Sequence, residues 1–291
     1  MLQLMRPANI ITAISDILAG IAVSGFFLLE MDSGTYVQPV VLLCLSTIGL
    51  YGGGVVFNDV FDAALDKTER PERPIPRGAV TENEASLLGL FLLVTGIGCA
   101  FAWQLSSGII ATVIAVASLI YDKWGKHQPV LGPLNMGLCR GLNLLLGISI
   151  IPLAVQQWWW LSIIPIIYIA AITLISRGEV HGGNKNHLDF AIVLYLSVIV
   201  AIFFFAWRNG GQISTSLVLL MLFAAMIFRP LLKARQEPAG KNIGKAVKAG
   251  VIGLILMNAS WAGAFDQIYL ALAIVFLLPL SIGLGKLFAV T

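Results

Sequence analysis

Long apolar runs alternate along the chain with short polar segments. A membrane-spanning helix needs about 20 predominantly apolar residues, and the runs have about that length. Clusters of glycine, proline and polar residues separate them. The pattern predicts an all-α fold, a polytopic transmembrane bundle of about nine to ten helices. The predicted crossings lie near 8–29, 38–61, 84–104, 107–122, 130–153, 158–176, 188–207, 212–232, 243–263 and 267–287.

Composition agrees with this class. Of the 291 residues, 58% are hydrophobic and only 11% are charged. Soluble domains carry about 25% charged residues, so we expect no separate soluble domain. The net charge of +3 gives no support for a nucleic-acid partner.

The basic residues predict an orientation. An N-terminus on the cytoplasmic side also places there the Lys- and Arg-rich loops after the second, fourth, sixth and eighth crossings. This agrees with the positive-inside rule. The polar loops would then face one compartment, as a shared site requires.

One polar segment follows the second predicted crossing directly. Asn58, Asp62 and Asp66 recur at every fourth position, so a helix would place them on one face, with Asp59 at its edge. Carboxylates this close repel one another unless a cation lies among them. Mg²⁺ takes one or two protein carboxylates and completes its shell with water and phosphate oxygens. The spacing therefore predicts a magnesium site.

Arginines follow these acids at once. Arg70, Arg73 and Arg77 are separated by prolines, which favour an extended loop. Acids for a metal and arginines for phosphate, at the mouth of a membrane helix, predict a site for a diphosphate with a lipid tail. The alternative is a solvated charged loop between two membrane helices, which needs no function.

The whole segment reads Asn58-Asp59-x-x-Asp62-x-x-x-Asp66, then Arg70 and Arg73-Pro74-Ile75-Pro76-x-Gly78. It resembles the first aspartate-rich motif of the UbiA superfamily of intramembrane prenyltransferases. The resemblance implies one transmembrane prenyltransferase-like domain over residues 1–291, with Mg²⁺ as cofactor. It also implies that Asp59, Asp62 and Asp66 act in catalysis, and that Asn58, Asp62 and Asp66 hold the metal.

The fourth predicted crossing ends in Tyr121-Asp122-Lys123-Trp124-Gly125-Lys126-His127. This resembles the Tyr-Ser/Thr-x-x-Lys type of segment that the family places beside the diphosphate. Lys123 and Lys126 can act as point charges on phosphate, and Tyr121 can donate a hydrogen bond. The alternative is a basic loop that only obeys membrane topology.

The sixth predicted crossing ends in Ser176-Arg177-Gly178-Glu179-Val180-His181-Gly182-Gly183. The family has a second acidic motif here, Asp-x-x-x-Asp, but Glu179 is the only acid in this stretch. The resemblance implies Glu179 as a metal ligand and Arg177 as a diphosphate ligand. His181 is a candidate proton acceptor, although a lone loop histidine more often has no such role. The string also resembles a divergent UbiA-like subgroup of bacterial ebo gene clusters.

Two ionisable residues lie inside predicted crossings. Asp16 and Arg140 fall at similar depth in the first and fifth crossings, so we predict that they pair. A purely structural ion pair and a functional role are both open. Asn143 follows Arg140 by about one turn, and the resemblance implies that both face the substrate chamber.

Together these features predict a Mg-dependent prenyltransferase. It would ionise a polyprenyl diphosphate held by Arg73, Lys123, Lys126 and Arg177, and transfer the prenyl group to a small lipophilic or aromatic acceptor. The expected location is the bacterial cytoplasmic membrane, with the active site facing the cytoplasm.

The sequence also bears on three alternatives to a prenyltransferase. A phosphatidyl-transferase-like enzyme needs Asp-Gly-x-x-Ala-Arg, which Asp62-Ala63-Ala64 does not supply. A transporter would show an internal repeat and a paired set of interrupted helices, and neither is visible in the sequence. A non-catalytic carrier or scaffold for isoprenoid or pigment is favoured by the reduced second motif.

Overall fold

A computed structural model describes residues 1–29, 33–128, 131–179, 184–209 and 213–288. Within these ranges the chain is helical and contains no β-strand. The helices are α1 (Pro7–Ser24), α2 (Ser33–Phe61), α3 (Ala63–Glu69), α4 (Glu82–Trp103), α5 (Leu105–Lys123), α6 (Leu131–Ile148), α7 (Pro152–Trp158), α8 (Ile163–Ser176), α9 (Lys185–Arg208), α10 (Ile213–Gln236), α11 (Gly240–Ala264) and α12 (Ile268–Leu287).

Nine spans in the described part of the chain are long and apolar enough to cross a membrane. One of them, Pro152–Ser176, combines α7, a short 3₁₀ turn and α8. The predicted fifth crossing corresponds to α6, which is not among the nine and which carries Arg140 and Asn143. The predicted all-α polytopic bundle is confirmed, and the protein is a multi-pass integral membrane protein.

Local sequence signals set several helix ends. Pro7 occupies the first turn of α1, where its missing N–H leaves no hydrogen bond unmade. Gly25 ends α1 with φ of 74°, a left-handed conformation that favours glycine. This end lies at Ser24, five residues before the end predicted at residue 29. Thr81 and Glu84 begin α4 with reciprocal side-chain-to-backbone hydrogen bonds.

The central pair of helices is α1 and α6. One hydrophobic core gathers residues of α8 to α12 around Ala19 and Leu144. A second core gathers residues of α2, α4 and α5 around Ile17 and Leu146. Because α1 and α6 each contribute to both cores, they hold the two groups of helices together.

Glycines bring α1 and α6 into backbone contact. A methyl group on Gly20 would lie 2.3 Å from the Leu144 carbonyl oxygen, and one on Gly147 would lie 2.3 Å from the Ile17 carbonyl oxygen. Small residues at such crossings allow close van der Waals packing, which drives helix association in membranes.

A buried ion pair lies at the same crossing, as predicted. Arg140 Nη1 donates to Asp16 Oδ2 over 2.8 Å, and Arg140 Nη2 donates to the Thr12 hydroxyl over 2.7 Å. Asn143 donates to the same Asp16 oxygen over 3.0 Å. Asn258 of α11 donates to the other Asp16 oxygen over 2.7 Å. The Asp16 carboxylate is thus satisfied by donors from two further helices.

We expect Gly20→Ala and Gly147→Ala each to destabilise the protein by about 1–3 kcal/mol, because the added methyl would collide with backbone. Thermal unfolding in detergent measures this. Gly98→Ala is the control: no atom lies within 4 Å of a methyl added there. In a helix this change is neutral or stabilising by up to about 1 kcal/mol. Equal melting temperatures for all three variants would contradict the close contact.

We expect Arg140→Ala to cost about 3–5 kcal/mol, because it leaves the Asp16 carboxylate buried without its cation. Unfolding in detergent is again the measurement. The control is Arg208→Ala, which removes an exposed arginine at the end of α9. An Arg140→Ala protein as stable as this control would refute the proposed importance of the pair.

Candidate active site

The acidic segment bridges the end of α2 and the short helix α3. Hydrogen bonds run from Asp62 N to Asn58 O over 3.0 Å, from Asp66 N to Asp62 O over 2.8 Å, and from Arg70 N to Asp66 O over 2.9 Å. The helical repeat therefore continues through the junction at Asp62. Asn58, Asp62 and Asp66 follow one another at the spacing that the sequence predicts.

Arginines neutralise two of the acids. Arg73 Nη1 donates to Asp59 Oδ1 over 3.2 Å and to Asp66 Oδ2 over 2.6 Å. Arg6, directly before α1, donates from Nη2 to the same Asp59 oxygen over 2.7 Å. Asp59 is 5% exposed and Asp66 is 3% exposed. The cluster is buried, which contradicts the alternative of a solvated charged loop.

The loop that carries Arg73 is a packed series of turns. Backbone hydrogen bonds join Arg73 N to Arg70 O over 3.1 Å and Gly78 N to Ile75 O over 3.0 Å. The expected extended conformation is therefore wrong, because Gly78 adopts φ of 75° and turns the chain back. Ile75 and Val80 pack in a small core with Leu4 and Val56.

The end of α5 meets the end of α2. Lys126, just beyond α5, forms an ion pair with Asp62. Asn58 donates from Nδ2 to Asp122 Oδ1 over 2.9 Å. We call Asp59, Asp62 and Asp66 with their partners Arg6, Arg73 and Lys126 the charged belt. It joins three segments far apart in sequence: the start of α1, the α2–α4 connection and the loop after α5.

A cavity of 280 Å³ lies beside the charged belt, between α1, α2, α5 and α6. Thr47, eleven residues before Asn58 in α2, lies roughly 16 Å further along the helix axis. The cavity therefore extends well into the bundle. Its polar lining consists of Arg6, Asn9, Thr47, Tyr51, Asn58, Ser118, Tyr121, Asp122, Cys139, Arg140 and Asn143, and its apolar lining of Leu50, Gly54, Val55, Ile114 and Met136.

The structure gathers most of the predicted site residues in this region. Asn58, Tyr121, Arg140 and Asn143 line the cavity. The other acids, with Arg73 and Lys126, form the belt next to it. Lys123 instead lies over the exposed ring of Trp124, with Nζ 4.7 Å from the ring centroid. Its predicted contact with diphosphate therefore needs a different side-chain position.

The loop after α8 packs against the start of α11. Glu179 is exposed, and a methyl group on Gly244 of α11 would lie 3.0 Å from Glu179 Oε1. Among the described contacts, none links Glu179 to Asp62. Arg177 is exposed in the same loop. Their roles as metal and diphosphate ligands stay predictions, and His181 lies outside the described residues.

The oxygen donors fit Mg²⁺ only as part of a substrate-bound set. In the residues described, no three Asp, Glu, His or Cys side chains form a group that could hold a metal. Mg²⁺ does not need one, because it binds through one or two carboxylates and takes water and phosphate oxygens as well. Asn58, Asp62 and Asp66 offer hard oxygen donors of this kind.

Several residues that line the cavity are not predicted from the sequence, among them Arg6, Asn9 and Asp122. The signal for Arg6 and Asn9 is a pair of polar residues at the mouth of the first crossing. The signal for Asp122 is an acid between Tyr121 and Lys123, at the end of an otherwise apolar helix.

We expect Arg73→Ala to loosen the loop over residues 70–80, because it removes hydrogen bonds to two buried carboxylates, each worth about 1.5–3 kcal/mol. Hydrogen exchange of the loop amides should become at least about tenfold faster. Arg70→Ala is the control, because Arg70 is exposed in the same loop. Unchanged exchange in Arg73→Ala would show that Arg73 does not hold the loop.

The chain is similar to known proteins. Residues 18–246 match the model of the UbiA prenyltransferase family. A digeranylgeranylglyceryl phosphate synthase of Saccharolobus solfataricus is 31% identical over 177 residues, which cover 60% of each chain. The match thus spans less than two thirds of that relative's length.

Solved structures share the fold. The apo structure of a UbiA homologue from Aeropyrum pernix K1 has a TM-score of 0.69 at 16% identity, covering 86% of this chain and 96% of that one. A UbiA homologue from Archaeoglobus fulgidus bound to DMAPP and Mg²⁺ has a TM-score of 0.65 at 17% identity, covering 92% and 98%. Because the family model matches well over half of the present chain, the chain belongs to the UbiA prenyltransferase family.

Proposed function

We propose that this protein transfers a prenyl group from a polyprenyl diphosphate to an acceptor with the help of Mg²⁺. The observation that carries the proposal is the charged belt beside a cavity inside the bundle. The UbiA homologue of Archaeoglobus fulgidus, which binds DMAPP and Mg²⁺, supports it. We propose further that residues 1–291 act as one domain.

The charged belt can exchange partners when substrate binds. Arg6, Arg73 and Lys126 now neutralise carboxylates, and each can turn to a diphosphate oxygen instead. The carboxylates are then free for a cation. We propose Asn58, Asp62 and Asp66 as the residues that hold Mg²⁺ here, with Glu179 as a further carboxylate. Bound Mg²⁺ offsets the negative charge on the departing diphosphate.

The reaction breaks the bond between the first prenyl carbon and the diphosphate oxygen. The electron pair leaves with diphosphate, which Arg73 and Lys126 hold, with Arg177 and Lys123 as additional proposed contacts. The allylic cation lies in the cavity, where the rings of Tyr51 and Tyr121 can stabilise it. The apolar lining keeps water from capturing the cation before the acceptor does.

The acceptor proposed here differs from the aromatic ring that the sequence led us to expect. The relatives named above do not support an aromatic ring, since the name digeranylgeranylglyceryl phosphate synthase describes a glyceryl phosphate that carries two geranylgeranyl groups. We therefore propose a hydroxyl acceptor on a glyceryl phosphate. Its oxygen attacks the cation, a carbon–oxygen bond forms, and the hydroxyl proton passes to the released diphosphate. Arg140 and Asn143 provide polar contacts at the deeper end of the cavity.

The orientation and the source of the protein are part of the proposal. We place the charged belt on the cytoplasmic side, because the basic loops predict that orientation. The bacterial membrane and the ebo-type subgroup gain no support from the relatives named above, which are archaeal.

We expect Asp62→Asn to lower diphosphate release by about 100-fold or more, the loss usual for removing one electrostatic stabiliser of a transition state. The assay supplies geranylgeranyl diphosphate, Mg²⁺ and alternative acceptors, and measures released diphosphate. Asp189→Asn is the control, because Asp189 is an exposed partner of Arg235 between α9 and α10.

Full activity in Asp62→Asn would refute the role of this carboxylate. Prenyl diphosphate binding without release by the unaltered protein, with any acceptor, would favour the carrier instead.

A further inference from the structure

Asp122 is a buried acid without a basic partner. It lies near the end of α5, is 4% exposed and lines the cavity. In the described part of the chain, no Lys or Arg nitrogen approaches its carboxylate within 4.0 Å. Asp59, Asp62 and Asp66 each have such a partner. Lys126 and Arg6 attract the Asp122 carboxylate only from beyond that distance. A buried carboxylate without an ion-pair partner is costly, so Asp122 differs from the acids of the belt.

The hydrogen bond between Asn58 and Asp122 leaves two oxygens available. Asn58 donates its amide N–H to Asp122 Oδ1 over 2.9 Å, which uses neither the Asn58 amide oxygen nor Asp122 Oδ2. No other described hydrogen bond engages either side chain, and both line the cavity. A carboxylate and an amide oxygen fixed on two neighbouring helices are ligands of the kind that hard divalent cations take.

We propose that Asp122, together with Asn58, binds the divalent cation that accompanies the diphosphate, as a carboxylate ligand in addition to those of the charged belt. The ligand class is a Mg²⁺ or Mn²⁺ complex of a prenyl diphosphate. This inference rests on the proposed function, because it assigns a further ligand to the cation of that same site. The cation then lies where the charged belt meets the wall of the cavity, beside Tyr121.

Mn²⁺ binding tests the assignment without turnover. Electron paramagnetic resonance of the full chain in detergent measures free and bound Mn²⁺ in the presence of geranyl thiolodiphosphate, an unreactive substrate analogue. The variants are Asp122→Asn and, as the control, Asp189→Asn, which alters a half-exposed acid paired with Arg235. Asparagine keeps the size of Asp122 and can still accept the hydrogen bond from Asn58, so only the charge and the ligand oxygen are lost.

We expect Asp122→Asn to weaken Mn²⁺ binding by about tenfold or more. Asp189→Asn should stay within about twofold of the unaltered protein. Asp122→Ser, which replaces the carboxylate by a hydroxyl, should bind Mn²⁺ as weakly as Asp122→Asn. It provides the same test if Asp122→Asn fails to fold. Mn²⁺ binding by the serine or asparagine variant within about twofold of the unaltered protein would overturn the assignment, as would absence of Mn²⁺ binding by the unaltered protein.

Diphosphate release, measured in parallel on the unaltered protein, separates the two proposals. If Mn²⁺ binding depends on Asp122 but no diphosphate is released, the assignment of the cation to Asp122 and Asn58 stands and the prenyltransferase function fails. If diphosphate is released but Mn²⁺ binding does not depend on Asp122, the prenyltransferase function stands and the cation assignment fails.

Discussion

A charge buried among membrane helices must be neutralised within a few ångströms, because no water is there to solvate it. This constraint accounts for the two polar regions of the protein. At the crossing of α1 and α6, Asp16 meets Arg140, Asn143 and Asn258. In the charged belt, Asp59, Asp62 and Asp66 meet Arg6, Arg73 and Lys126. Each region links segments that are distant in the sequence.

The two polar regions differ in whether a ligand could replace the partners of their buried acids. Both oxygens of Asp16 accept hydrogen bonds from donors inside the bundle, and the carboxylate is 1% exposed. That network is complete, and its main effect is to fix three helices. The belt lies at the rim of a cavity, on flexible arginine and lysine side chains. In the proposed reaction, an arriving diphosphate takes over these basic side chains, and the divalent cation that accompanies it neutralises the carboxylates that they leave.

The cavity connects the two regions. Arg140 and Asn143 complete the Asp16 network and also line the cavity that begins at Asn58. The Arg140 guanidinium carbon lies 5.1 Å from the centroid of the Tyr51 ring, on the cavity side. A structural and a functional role for Arg140, left open by the sequence, are therefore compatible. The same guanidinium fixes α1 against α6 and shapes the deeper end of the cavity.

The sequence by itself determined the fold class, most helix positions and the helical spacing of Asn58, Asp62 and Asp66. These follow from apolar run length and from a helical repeat of about 3.6 residues, which are local properties. It also predicted the pairing of Asp16 with Arg140, because few ionisable groups lie inside the spans and each needs a partner.

Only the tertiary structure decided which basic partner each acid of the charged belt takes and that Glu179 lies against α11. It also decided that Asp122 lines the cavity without an ion-pair partner among the described residues. The order of residues does not encode these contacts locally. They depend on how α1, α2, α5 and α6 pack, and that packing is set by contacts such as Gly20 against Leu144, between residues more than a hundred positions apart.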